Sequence, residues 1–177
     1  MGRYLDGWSH RRRLPYHAAA VAGSLRMDQL EGFVVEAKSE TYAGAGGSIL
    51  AALPGEHEHA YERGAWSYRD RYVGGADFCG QEVVRQHQAP VWAMVYYGTI
   101  LRPAELDGAI AGRVIKAALT ALYEEGRFLG GWTAEVEGWR YQDTNSGDVS
   151  RFTGEERISL AGEACYRLWY AGGLTRE

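Results

Sequence analysis

Four carboxylates stand out by where they fall. Asp70, Glu82, Asp143 and Glu156 each lie an even number of residues from a large ring: Trp66, Phe78, Trp139 and Phe152 respectively. If these stretches are strands, even spacing puts each acid on the face of its ring, because side chains alternate along a strand. The rings need burial, so the acids share it. A carboxylate on an apolar face must be paired, hydrogen-bonded or protonated, since desolvating its charge is costly. Two kinds of chemistry follow. Paired acids can act as general acid and base. Acids framed by aromatic rings can instead hold a cationic or hydroxyl-rich small molecule. A third role is architectural: Tyr, Trp or backbone donors satisfy the acids, which then pin strand register.

The elements that would position these acids are legible from periodicity. Leu30, Phe33, Val34 and Ala37 recur at i, i+3, i+4, i+7, one face of a helix, with Asp28 as the expected N-cap. Residues 42–64 carry Gly44, Gly46, Gly47, Pro54, Gly55 and Gly64 and read as a long loop, or a loop plus a short strand. Strand-like runs follow at 66–72, 78–85 and 91–98, joined by lengths that suit hairpins. A second helix is expected over 103–125, from the spacing of Ile110, Val114, Ala117, Ala118, Ala121 and Leu122, with Pro103 in its opening turn. Three more strands are expected at 132–143, 152–160 and 164–171.

The second half repeats residues of the first. Trp66, Tyr68 and Asp70 match Trp139, Tyr141 and Asp143; Phe78, Gly80 and Glu82 match Phe152, Gly154 and Glu156; Tyr96 and Gly98 match Tyr170 and Gly172. The expectation is an α+β fold, an internal duplication of an α-β-β-β unit spanning 30–100 and 106–174. Its sheets would be antiparallel, with two helices covering the sheet. Residues 27–177 would form a single domain of two repeats behind a loosely ordered extension, 1–26. Parity then nominates a ligand-binding set. The first copy supplies Tyr68, Asp70, Glu82, Trp92 and Tyr96, and the second supplies Tyr141, Asp143, Glu156, Tyr166 and Tyr170. Arg69 and Arg71 fall on the opposite, solvated face.

Other signals are weaker. His57 and His59 in "GEHEHAY" lack a defined third ligand, so no metal is expected. "YAGAGG" follows a helix and lacks the Lys-Ser/Thr ending of a phosphate loop, and no cofactor is expected. Ser24, Ser39 and Ser48 lie in no nucleophile-elbow context. Cys79 and Cys165 are the only cysteines, which suits a reducing cytoplasm. In the extension, Arg11, Arg12 and Arg13 precede a small-residue stretch, but 18–25 is too short and weakly apolar for an export signal, and Met27 is an alternative start. The formal net charge is −4 and basic residues are scattered, so direct nucleic-acid binding is not expected. No run approaches the ~20 apolar residues of a membrane span. Oligomeric state and catalysis stay open, and a further alternative is an interaction scaffold, which would show an exposed apolar sheet edge or face instead of a pocket.

"FVVEAKSETYAG", "YRDRYVGGADFCGQEVV", "PVWAMVYYGTIL" and the later "FTGEERI" and "YAGGL" together resemble an uncharacterised bacterial domain family. Its members resemble a stand-alone protein of this length or follow an Xre-type helix-turn-helix module. The resemblance covers about 30–174. It implies a domain of unknown function, an effector-sensing module where fused to a DNA reader, and brings no established catalytic residues. This chain lacks a helix-turn-helix, so a regulator's role does not transfer directly.

Overall fold

The computed structural model describes residues 26–43, 48–49 and 53–176. The expected extension, 1–26, lies outside the described residues except for Arg26. Helix α1 (Met27–Lys38) runs directly into a π-helical turn (Ser39–Ala43). Then come β1 (Ser48–Ile49), β2 (Glu56–Arg63), β3 (Trp66–Gly74), β4 (Phe78–Gln86) and β5 (Ala89–Ile100). Helix α2 (Gly108–Glu124) leads into β6 (Trp132–Val136), β7 (Trp139–Asp148), β8 (Arg151–Leu160) and β9 (Glu163–Leu174). All strands pair antiparallel in one sheet of order β1-β2-β3-β4-β5-β9-β8-β7-β6, in which β1 is only two residues long. The fold is α+β, as expected.

Several boundaries differ from the sequence expectation. Three strands are expected after each helix; the first half has five, the two-residue β1 among them, and the second has four. The segment read as a long loop, or a loop plus a short strand, holds the two-residue β1 and the eight-residue β2, the latter paired with β3 from Glu56↔Val73 to Arg63↔Trp66. Its inward positions are His57, His59, Tyr61 and Arg63, so no apolar alternation announced it. The histidine rings stack on Tyr72, at 4.7 Å and 5.9 Å between centroids. The single strand expected at 132–143 is two strands. Glu137 and Gly138 both take positive φ, 52° and 84°, which makes the tight two-residue turn that suits strand twist. Asp28 is not an N-cap: α1 begins at Met27, and Asp28 pairs with Arg26 across the first turn at 2.9 Å. The second helix begins at Gly108 rather than near Pro103, with the Ile110 amide donating to the Asp107 side chain at 2.7 Å.

Both helices lie on one face of the sheet. The inward residues of both halves join a single core that includes Leu30, Phe33 and Val34 of α1 and Val114, Ala118 and Leu122 of α2. The seam between halves is β5–β9, where Tyr96 stands opposite Tyr170. The halves match in register. Asp70 faces Glu82 across β3–β4 as Asp143 faces Glu156 across β7–β8. Bulges fall two residues past the glutamate in each, at Val84/Arg85 and Ile158/Ser159.

On the outer face, two arginines clamp one glutamate in each half. Glu58 is held by Arg69 and by Arg71, the latter at 2.6 Å. Glu155 is held by Arg157 and lies 3.5 Å from Arg167. Arg69 and Arg71 thus reach solvent, as parity requires, with side chains 40% and 63% exposed. No described helix is long and apolar enough to cross a membrane.

Candidate functional site

The acids are carried by β3, β4, β7 and β8, and all point under the helices. Asp70, Glu82 and Asp143 are buried, at 6%, 5% and 4% exposure. Glu156 is half-buried as a residue, but its Oε2 is closed off from solvent. The alternation that hides the rings therefore hides the acids.

The central strands supply the hydroxyls that answer them. Tyr96 on β5 donates to Asp70 Oδ1 at 2.5 Å, and Tyr170 on β9 donates to Asp143 Oδ1 at 2.7 Å. Asn145 adds a donor to Asp143 Oδ2 at 2.8 Å. These contacts depend on glycine. Gly80 stands opposite Tyr96 and Gly154 opposite Tyr170, and each ring lies flat over its glycine. A Cβ on Gly80 would meet Tyr96 Oη at 2.4 Å, and one on Gly154 would meet Tyr170 Cζ at 2.1 Å. The arrangement is reciprocal, since Phe78 covers Gly98 and Phe152 covers Gly172. So Phe-x-Gly-x-Glu on one strand and Tyr-x-Gly on the next form one interlocking unit, which lays the tyrosine low enough to reach the aspartate. Gly154→Ala is therefore expected to cost about 1–3 kcal/mol by overpacking and to lift Tyr170 off Asp143. Urea denaturation and the exchange behaviour of the Tyr170 hydroxyl check this. Wild-type behaviour in both would show that the ring does not need the space.

A cation also reaches the acids. Lys38, at the end of α1, is 8% exposed at its side chain and donates to Glu82 Oε1 at 2.6 Å. Its ammonium also lies 6.0 Å from the centre of the Phe128 ring. Thr41 Oγ1 donates back to the Ala37 carbonyl at 2.7 Å within the π-helical turn that follows. Such turns recur at functional positions in helices, and this one brings Tyr42 to the same space.

That space is a cavity of about 280 Å³ between the helices and the sheet. Of the ten nominated residues, Tyr68, Asp70, Glu82, Tyr96, Asp143, Glu156, Tyr166 and Tyr170 line it. Two do not. Trp92 is fully buried, stacks on Phe152 and donates its indole N–H to the Val149 carbonyl at 3.0 Å. Tyr141 is also fully buried, and its hydroxyl lies beside Glu156 without a hydrogen bond of ordinary geometry. Parity fixes the face of a side chain but not its distance from the centre of that face. The cavity wall adds residues not nominated from sequence, chiefly Lys38, Tyr42, Tyr123 and Phe128. Lys38 had a signal: it lies four residues after Val34 and eight after Leu30, on the apolar stripe.

The electrostatics follow from burial. Desolvation, then the charge of Glu82, pushes Asp70 up to about 7 against the Tyr96 hydrogen bond and Lys38. Desolvation and the charge of Asp143 push Glu156 up to about 8 against Tyr141 and Lys38, with Glu82 adding to the rise. Desolvation also raises Asp143, opposed by Tyr170, Asn145 and Arg127. Burial and then the neighbouring aspartate hold Tyr96 and Tyr170 well above the usual phenol range, so both stay protonated donors. Among the described residues no three His, Cys, Asp or Glu side chains gather so as to hold a metal ion.

The acids and the Gly–aromatic units all fall within residues 70–175, the span matched by a family model described as a domain of unknown function, DUF5680. The chain belongs to this family. No curated protein and no solved structure shows detectable similarity to it. The DUF5680 match begins at Asp70, so Lys38, Tyr42 and Tyr68 reach the cavity from residues ahead of it.

Proposed function

We propose that this DUF5680 domain is a small-molecule-binding module whose ligand occupies the cavity beneath the two helices. The observation that carries the proposal is a space of about 280 Å³ walled by tyrosines and edged by four carboxyls and one lysine. Binding pockets combine an apolar aromatic wall with a few convergent polar groups in this way, and the volume restricts the ligand to one or two rings. The proposed contacts are Tyr68, Asp70, Glu82, Tyr96, Asp143, Glu156, Tyr166 and Tyr170, with Lys38. The matched element order and register of the halves support a further reading, that they descend from one duplicated unit and that the site grew at their seam. Where such a domain follows a DNA-binding module, occupancy of the cavity would be the effector signal.

A thermal-shift screen of metabolites and drugs tests the binding. At least one chemical class should raise the melting temperature by several degrees. Gly112 on α2 lines the cavity, and a Cβ there would meet nothing within 4 Å. Gly112→Leu should therefore fill the space while favouring the helix by roughly 0.5–1 kcal/mol. It should be at least as stable as wild type and lose the ligand's shift. A shift that survives Gly112→Leu places the ligand elsewhere.

One observation favours a second reading, a hydrolase or isomerase. Asp143 and Glu156 face each other, and Glu156 sits up at about 8 and can hold a proton at neutral pH. A general acid and a general base need such a difference. Turnover of any compound found by the screen, lost in both Asp143→Asn and Glu156→Gln, would select this reading.

A further inference from the structure

The polar atoms on the cavity wall do not balance. Lys38 is the one cationic side chain among the described lining residues, against four carboxyls. Its ammonium is committed to Glu82 Oε1. Glu82 Oε2 has no hydrogen-bond partner, although the side chain is only 6% exposed and lines the cavity. Glu156 Oε2, from the other half, has none of ordinary geometry either, although the unpartnered Tyr141 hydroxyl lies beside that carboxyl. The two glutamates line the same cavity, and the charge of Glu82 adds to the rise at Glu156. Tyr166 Oη is a further buried atom on this wall without a partner.

The tyrosines that satisfy the aspartates leave the glutamates alone. Tyr96 and Tyr170 answer Asp70 and Asp143 in matching ways, whereas Lys38 answers only the glutamate of the first half. On α2 the cavity wall carries Tyr123 and no cation. Arg127 acts on Asp143 from outside the lining, but among the described residues no cation pairs with Glu156 as Lys38 pairs with Glu82.

We infer that the ligand is an organic amine. Its ammonium is seated at the Glu156 and Glu82 carboxyls, whose buried Oε2 atoms lack partners and turn to meet it, and its ring lies against the tyrosine and phenylalanine walls. This rests on the binding proposal above and narrows it to a chemical class. An ammonium offers several N–H donors to two acceptor oxygens that otherwise lose their hydration, and aromatic faces add cation–π attraction once water is excluded. A neutral polyol could bond the same oxygens but would leave the charge imbalance in place.

The affinity should then rise with pH. Of the groups facing the ammonium, Glu156 and Asp70 change charge between neutral and mildly alkaline pH, burial also raises Asp143 opposite Glu156, and Lys38 is paired with Glu82. Desolvation holds Tyr42, Tyr123 and Tyr166 above the phenol range, and Tyr96 and Tyr170 with them, so the tyrosines stay neutral. An incoming cation favours the ionised acids and displaces their protons.

The test compares matched probes by calorimetric titration of the full chain: tryptamine against tryptophol, and phenethylamine against 2-phenylethanol. The amines should bind at least tenfold tighter than the alcohols at pH 8.5, and at least tenfold tighter at pH 8.5 than at pH 6. Glu156→Gln should cost the amines tenfold or more and leave the alcohols unchanged. Should the variant fold poorly, the pH series on wild type decides the same question. Alcohols binding as tightly as amines would overturn the amine assignment and leave the cavity proposal standing. Binding of neither set, with no compound of the thermal screen lost in Gly112→Leu, would remove both.

Discussion

Glu156→Gln raises the melting temperature at pH 9 and has little effect at pH 5. In the unfolded chain this glutamate ionises near 4.5, and in the folded protein near 8. Below pH 4.5 it is protonated in both states and alters nothing. Between these values the folded protein holds a proton that the unfolded chain releases, so stability declines as pH rises, by about 1.4 kcal/mol per pH unit at most. Above pH 8 the loss is complete. Because the residue is half-buried and solvent relieves part of the penalty, the total is on the order of 2–4 kcal/mol rather than the full product of shift and slope. A glutamine carries no such dependence, although its amide needs partners, at a cost of about 1 kcal/mol that shows at every pH. Denaturant melts of wild type and variant from pH 5 to pH 9 measure the difference directly. A difference that stays flat across that range would mean that Glu156 titrates as an ordinary surface acid.

Lys38→Met should be the most damaging single change in the cavity wall. It removes the partner of Glu82 and the cation that opposes the rise at Asp70 and Glu156. Breaking one side of a buried pair costs about 3–5 kcal/mol because the remaining charge is stranded. The loss should show in full at pH 8. The double change Lys38→Met with Glu82→Leu should recover most of the stability, since apolar residues of similar volume replace such pairs at little cost. Urea melts of wild type, the two single variants and the double variant complete the cycle. A double variant as unstable as Lys38→Met alone would show that the lysine's packing, rather than its charge, holds α1 in place.

How far the site could be read from sequence depended on what each signal measures. Strand parity placed Asp70, Glu82 and Asp143 inside because Trp66, Phe78 and Trp139 could go nowhere else. It did the same for the inner oxygen of Glu156. The paired Tyr96–Gly98 and Tyr170–Gly172 spacing was visible, but its purpose was not, because a ring lying over the opposite glycine is a relation between strands. The extent of strand β2 was hidden, since its inward positions His57, His59 and Arg63 are not apolar: the histidines stack on Tyr72, and Arg63 pairs with Glu36 while staying exposed. Lys38 was on the right face of α1, yet periodicity counts apolar residues and passes over a lysine whose partner lies on another strand. Trp92 and Tyr141 share the inner face but sit beneath it, a matter of depth that alternation does not encode. The break at Glu137–Gly138 rested on Glu137 taking positive φ, which a non-glycine residue seldom does.

The order of the sheet also has a kinetic meaning. From β1 to β5 and from β6 to β9, each strand pairs with its neighbour in the chain, so these contacts are local and close quickly. The β5–β9 seam joins opposite halves of the chain and carries the largest loop-closure entropy in the sheet. It is also where Tyr96 and Tyr170 come side by side and where the four acids first share one space. Each half can therefore form its own meander early, whereas the cavity exists only after the slowest pairing is made. Any compound that occupies it acts on the last step of folding, slowing the reopening of the seam rather than speeding the formation of either half.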